Sequence, residues 1–231
     1  MGMVNGIHHI AIQTGNIKKQ IAYFTDVLGM ELTGLFWMHG VIGAWHAFLR
    51  LDDSAYLSFV EIPENKDIEP IFGVSHAPSP RAASAPGTMQ HIAFNVKDDD
   101  ALLALRDRIR ARGVNVMGPL AHGICKSIYF AGPENLTLEI AANDQVMDAE
   151  MWIDPEVVKL AGINAEELAT YKQPATFTTQ GGKVSQPPVD LDKPQLGYPK
   201  DVLDKLMNTP DADLNKVYSY AEPPVKKKAR D

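Results

Sequence analysis

The 231-residue chain predicts an α+β fold: two paired βαβββ modules around a shared cavity, followed by an irregular C-terminal extension with short helices. Three observations predict it. The stretch GIHHIAIQTGNIKKQIAYFTDVLGMEL near the start is echoed by TMQHIAFNVKDDDALLALRDRIRARGVNV in the middle, which is an internal repeat. Each copy passes from two-residue alternation to a capped amphipathic helix and then to three strand-like segments. Four strands and one helix bury only one face of a sheet, so the opposite faces of two such units must meet or line a cavity.

The elements follow in order. Each copy opens with a strand containing His-Ile-Ala, at residues 9–11 and 91–93. In the first helix Asn16 is placed as the N-cap. Ile17, Ile21, Phe24 and Leu28 recur at helical spacing, and Gly29 is placed to end it. In the second, Asp98 caps. Asp99 and Asp100 suit the positive end of the helix dipole, and Arg108, Arg110 and Arg112 suit the negative end before Gly113. Leu102, Leu105 and Ile109 form the stripe that covers a sheet. Strands are expected at about 31–39, 44–51 and 55–62, and again at 114–120, 125–131 and 135–142. The domain limits are therefore a first module at 1–65, a Pro-, Ala- and Ser-rich linker at 66–88, a second module at 89–143 and an extension at 144–231. In the extension, Asp154-Pro155, Asn164 and the segment 200–208 mark three short helices.

Composition narrows the function. A 45% hydrophobic content supports a real core, and one cysteine, Cys125, excludes an internal disulfide framework, which fits a cytoplasmic protein. No run approaches the roughly 20 apolar residues of a membrane span. A net charge of −7 argues against nucleic acid as partner, and the short basic end at 226–230 reads as a solvated tail.

Alternation gives each histidine a direction. His9, Ala11 and Gln13 share one face of the first strand, and His91, Ala93 and Asn95 share the matching face in the second copy. The faces carrying Ile10, Ile12, Ile92 and Phe94 pack under the helices. In the last strand of the second copy, Leu136, Leu138 and Ile140 alternate with Thr137 and Glu139, which puts Glu139 on the inner face. Two imidazoles and one carboxylate are the set a divalent iron or a related ion accepts while keeping positions open for substrate. His9, His91 and Glu139 are accordingly the candidate metal ligands. Trp37, His39, Trp45 and His46 suit either a pocket lining or ordinary strand packing, His76 lies in the linker, and Cys125 reads as packing.

The repeated unit, with HHIAI…YFTDVLGMEL and QHIAFNV, resembles the vicinal oxygen chelate superfamily over about residues 5–143. That superfamily includes glyoxalase I, methylmalonyl-CoA epimerase, bleomycin-resistance proteins and the extradiol ring-cleavage dioxygenases. The resemblance implies a curved sheet around a metal cavity, with ligands on the first and last strands of the modules, again His9, His91 and Glu139. Within it, His122, Ile128-Tyr129, Pro133 and Glu139 resemble the extradiol dioxygenase pattern. Gly132 stands where an acidic or small polar residue is usual, and Asn135 where the turn has glycine. The implied activity is cleavage of a catechol- or hydroquinone-like aromatic with O2 on Fe2+, with Mn2+, Ni2+ or Zn2+ as other candidate ions. The implied roles are a hydrogen bond from Tyr129 to substrate and orientation or proton movement by His122. A homodimer is expected.

A fourth ligand would change the chemistry. Isomerases of the glyoxalase type use four protein ligands, whereas an oxygenase needs positions for the diol and for dioxygen and keeps three. In YLSFVEIP, Ser58 and Glu61 face opposite ways. Keeping equal hairpin lengths sets Ser58 against Glu139; matching carboxylates sets Glu61 there. The first alignment is favoured. The alternatives are a glyoxalase I-type lyase or epimerase with Glu61 as fourth ligand, and a metal-free protein that binds or sequesters a small molecule.

Overall fold

A computed structural model describes residues 4–178 and 184–226. The first module runs β1 (His9–Gln13), α1 (Ile17–Asp26), β2 (Glu31–Trp37), β3 (Trp45–Arg50) and β4 (Tyr56–Glu61). The second repeats it as β5 (Ile92–Val96), α2 (Asp99–Ala111), β6 (Met117–Ala121), β7 (Cys125–Ala131) and β8 (Thr137–Asn143). Each module is a four-stranded sheet with the first strand beside the last, in orders β1-β4-β3-β2 and β5-β8-β7-β6. The crossover through the helix makes β1–β4 and β5–β8 parallel, and the hairpins make the remaining pairs antiparallel.

The expected caps are in place. The Asn16 side chain accepts the Lys19 N–H at 2.9 Å, and that of Asp98 accepts the Ala101 N–H at 2.9 Å. Strand β2 ends two residues short of the expected position, because residues 38–44 close the hairpin. Met38 N–H donates to the Ala44 carbonyl at 2.8 Å, with Gly40 and Gly43 in the left-handed region. Strand β6 starts late, since Val114 and Val116 tuck against the core instead of pairing.

The helix-covered faces of both sheets share one core, in which Phe24 of α1 meets both Phe59 of β4 and Phe94 of β5. Ile10 and Ile12 pack against it, as alternation requires. Polar bonds also join the modules. Tyr23 Oη donates to the Ala131 carbonyl at 2.7 Å, and the Arg108 guanidinium donates to the Val27 and Asp26 carbonyls at the end of α1 at 3.0 and 2.8 Å. Glu134, in the β7–β8 turn, accepts the Gly15 N–H at 2.9 Å and the Gln20 Nε2–H at 2.7 Å.

Between the modules a 3-10 turn covers Pro63–Asp67, and Phe72 and His76 form an isolated bridge. After β8 come α3 (Ala149–Trp152), α4 (Pro155–Leu160) and α5 (Ala165–Lys172), in one compact unit with the modules. The chain from residue 173 forms a second unit containing α6 (Lys200–Asn208) and α7 (Asp211–Tyr218). Asp154 caps α4, and Asn164 accepts the Glu167 N–H at the start of α5. Helices α3 and α7 carry no expectation from the sequence. Apart from Lys226, the basic end at 226–230 lies outside the described residues. Among the described residues, no helix is long and apolar enough to cross a membrane.

Candidate functional site

Strand register carries the site. In the second module Ala93 pairs with Glu139 and Glu139 with Tyr129, so these three stand in one row across β5, β8 and β7. In the first module Ala11 pairs with Ser58 and Ser58 with Phe48. Ala11 and Ala93 are equivalent in the repeat, so Ser58 occupies the position that Glu139 holds in the second copy. Equal hairpin length and observed register agree.

His91, one residue before β5, brings its Nε2 to 2.9 Å from Glu139 Oε2. Glu139 is 5% exposed, buried beneath the row it belongs to. The other imidazole nitrogen, Nδ1, contacts Gln90 Oε1 in a very short hydrogen bond. Tyr129 stands beside Glu139, and its hydroxyl lies 3.0 Å from His122 Nε2. Burial first, and then the Glu139 carboxylate, push the Tyr129 phenol above its ordinary value, which keeps it protonated as a donor. Tyr129 also lines an open cavity of about 650 Å3 with Arg110 and Met117. Ser127, fully buried, and Cys125 lie further along the same face, with their side-chain heteroatoms 3.5 Å apart. Cys125 is thus half-buried among polar neighbours rather than packed in the core.

The first module holds a different cluster. His9 Nδ1 contacts His8 Nδ1 at 2.9 Å, and its ring sits against His46 and Phe48. His46 Nε2 lies 3.0 Å from the hydroxyl of Ser58, which is fully buried. Burial, reinforced by His9 and His39, holds the His46 imidazole below the ordinary histidine value. Phe36 and Phe48 stack beside it, giving this face an aromatic floor.

Glu61 is committed elsewhere. Its Oε2 accepts the Ile17 N–H at 2.7 Å, at the first turn of α1, where a carboxylate satisfies a free amide and complements the dipole. The alternative alignment, which put Glu61 opposite Glu139, is therefore corrected by the register.

Of the three expected ligands, the chain joins His91 to Glu139, while the contacts of His9 are His8, His46 and Phe48. Among the described residues no group of three or more His, Cys, Asp or Glu side chains is arranged to hold a metal ion. The physical reason lies in the topology, because His9 belongs to one four-stranded sheet and the other two to the second. The His91–Glu139 pair nonetheless fits an ion as far as it goes. Two donors each about 2.1 Å from one ion, at right angles, sit about 3 Å apart, which is the spacing found. His46 and Gln90 were not singled out as site residues by sequence reasoning. Alternation in WHAFL places His46 on the face of Ser58 and could have found it; Gln90 carries no signal beyond adjacency to His91.

Comparison with known proteins agrees with this architecture. The pattern of the Glyoxalase/Bleomycin resistance protein/Dioxygenase superfamily matches residues 6–140. Among solved structures, a glyoxylase/bleomycin resistance protein/dioxygenase domain from Frankia sp. EAN1pec is similar at 13% identity and a TM-score of 0.47, covering 61% of this chain and 98% of that one. Lactoylglutathione lyase from Agrobacterium tumefaciens is similar at 17% identity and 0.42, covering 64% and 99%. The fosfomycin resistance protein FosX from Listeria monocytogenes, solved with Mn(II) and a dihydroxypropylphosphonic acid, is similar at 17% and 0.42, covering 62% and 99%. Comparison with curated protein sequences returns no match.

Proposed function

The chain belongs to the Glyoxalase/Bleomycin resistance protein/Dioxygenase superfamily, and from that premise we propose a metal-dependent dioxygenase that opens a catechol- or hydroquinone-like ring with O2. One observation carries the choice within the superfamily. Ser58, not a carboxylate, occupies the repeat position of Glu139, and its hydroxyl is engaged by His46. One carboxylate leaves a three-ligand site of His91, Glu139 and His9, with positions open for both a diol and dioxygen.

Fe2+ held there would supply the redox chemistry between a diol and O2, and Mn2+, Ni2+ and Zn2+ suit the same donors. The chain's own residues do the rest. Glu139, buried and aligned with His91, contributes negative charge that favours a divalent cation over solvent. Tyr129, kept as a phenol, donates a hydrogen bond to a substrate oxygen. His122, exposed and in contact with the Tyr129 hydroxyl, passes a proton between that hydroxyl and solvent. His9 completes the ligand set from a second copy of the chain, since within one chain it sits on the other sheet.

The test is anaerobic loading with Fe2+, measurement of metal content, and then oxygen uptake with catechol and hydroquinone. Stoichiometric metal and uptake are expected, with metal lost in Glu139→Gln. Metal without uptake on any diol would remove the dioxygenase and favour a lyase or epimerase. Absence of metal would favour the second reading, a small-molecule binding protein, because the 2.9 Å His91–Glu139 contact is already a complete hydrogen bond.

A further inference from the structure

The proton on His91 has a position that can be deduced atom by atom. Gln90 Nε2 lies 2.8 Å from the carbonyl oxygen of Pro80, and a carbonyl only accepts, so the amide must turn its NH2 toward Pro80. Its oxygen, Oε1, therefore faces His91 Nδ1, where it too can only accept. Nδ1 must then carry a proton. The nitrogen left to exchange its proton for an ion is Nε2, which faces Glu139.

Pro80 is itself held. It lies in the segment joining the modules, three residues after Ala77, which is 2% exposed and whose carbonyl accepts the Thr137 hydroxyl at 3.3 Å. Thr137 is on β8, two residues before Glu139. The stretch 77–80 thus reaches both strands that bear the ligands of the second module, touching one directly and the other through Gln90.

We propose that Gln90 is the positioning residue of this site, setting which nitrogen of His91 is presented to the ion, and that residues 77–80 are the strap that orients Gln90. The proposal rests on His91 and Glu139 being metal ligands. A ligating imidazole gains basicity and a fixed plane when its other N–H is held by an acceptor, and losing that acceptor typically weakens metal binding. Gln90 supplies the acceptor, and the backbone of the segment between the modules supplies the orientation.

Two readouts on the full chain test it, with Gln90→Met removing the amide at similar volume and Gln90→Glu restoring an acceptor. The first is the nitrogen NMR spectrum of metal-free protein labelled at histidine. His91 in the wild type should carry a proton on Nδ1. In Gln90→Met the proton should move to Nε2, toward Glu139, and in Gln90→Glu it should return to Nδ1. The second is Mn2+ affinity by calorimetry, expected to fall roughly 10–100-fold in Gln90→Met and to recover most of that in Gln90→Glu. A Gln90→Met ring that keeps its Nδ1 proton, or a Gln90→Glu protein no better than Gln90→Met in both readouts, overturns the proposal, since Gln90 would then only tie down the joining segment. If wild-type protein binds no Mn2+, the metal reading fails by itself, and the nitrogen spectra still decide for or against Gln90.

Discussion

At the scale of single residues, Ser58 and Glu61 divide two tasks on one strand. Three positions apart, they face opposite sides of β4, so one looks across the row equivalent to Glu139 while the other reaches the first turn of α1. Glu61→Ala should lower stability by about 1 kcal/mol, the usual cost of a lost helix cap, and leave Mn2+ affinity unchanged. A melt paired with calorimetry checks this, and a large affinity loss would return Glu61 to the metal. Glu134 is the other residue with an exposed logic. It sits at φ 55° and ψ 35°, where a side chain with a Cβ is disfavoured by about 1–2 kcal/mol. That conformation aims its carboxylate at Gly15 and at fully buried Gln20. Glu134→Ala keeps the strain and strands the Gln20 amide, so denaturation should show a loss of about 1–3 kcal/mol. Alternation alone made Glu139 and Ser58 legible, because a strand's period fixes its faces. The turn departure at Asn135 also has its explanation, as φ there is 61° and asparagine tolerates the left-handed region that glycine usually fills. Gly132 is explained by space, since a Cβ there would come within 2.9 Å of Leu138. Gln90 and Glu134 act through partners distant in sequence, Pro80 and Gln20, and no local pattern announces such bonds.

At the scale of elements, α1 is the joint of the molecule. Its apolar stripe and both caps were legible, since capping chemistry is local. That its outer turns would bond to the second module was not, because Tyr23, Gln20 and the Asp26 carbonyl look like an ordinary polar face until the repeat partner is placed beside them. Burial raises the Tyr23 phenol to about 12 from 10.0. The folded state therefore favours the protonated phenol. Its contribution is fully present below pH 10, and is lost as pH rises from the unfolded value through about 12. Stability measured by urea titration should fall over that window in the wild type, and Tyr23→Phe should be flatter there while less stable at neutral pH. An identical alkaline slope in the two proteins would contradict the assignment.

At the scale of the whole molecule, the repeat fixed the modules but not their partners. Pairing of β1 with β4 and of β5 with β8 follows from one pattern used twice, yet which faces meet depends on contacts between sheets that alternation does not encode. A site shared between two chains makes a distinct prediction. His9→Ala and Glu139→Gln should each fail to hold metal, whereas the two variants refolded together should regain about a quarter of the wild-type metal content, because random pairing leaves one intact site in half of the dimers. Recovery is read from metal content after gel filtration, and no recovery would place all the ligands within one chain. The first module offers surface for such an assembly, with Trp37 and Trp45 paired edge to face and both exposed, and Ile42 at the hairpin tip.

The Glu134 carboxylate gives that assembly a built-in reporter. Since it holds the Gly15 amide across the boundary between modules, the exchange of that one hydrogen with heavy water records whether the halves part. If the two copies of the repeat open only together, Gly15 exchanges as slowly as the amides of the central strands. If they breathe apart, it exchanges first, and its rate measures how often an ancestral half-molecule still moves alone.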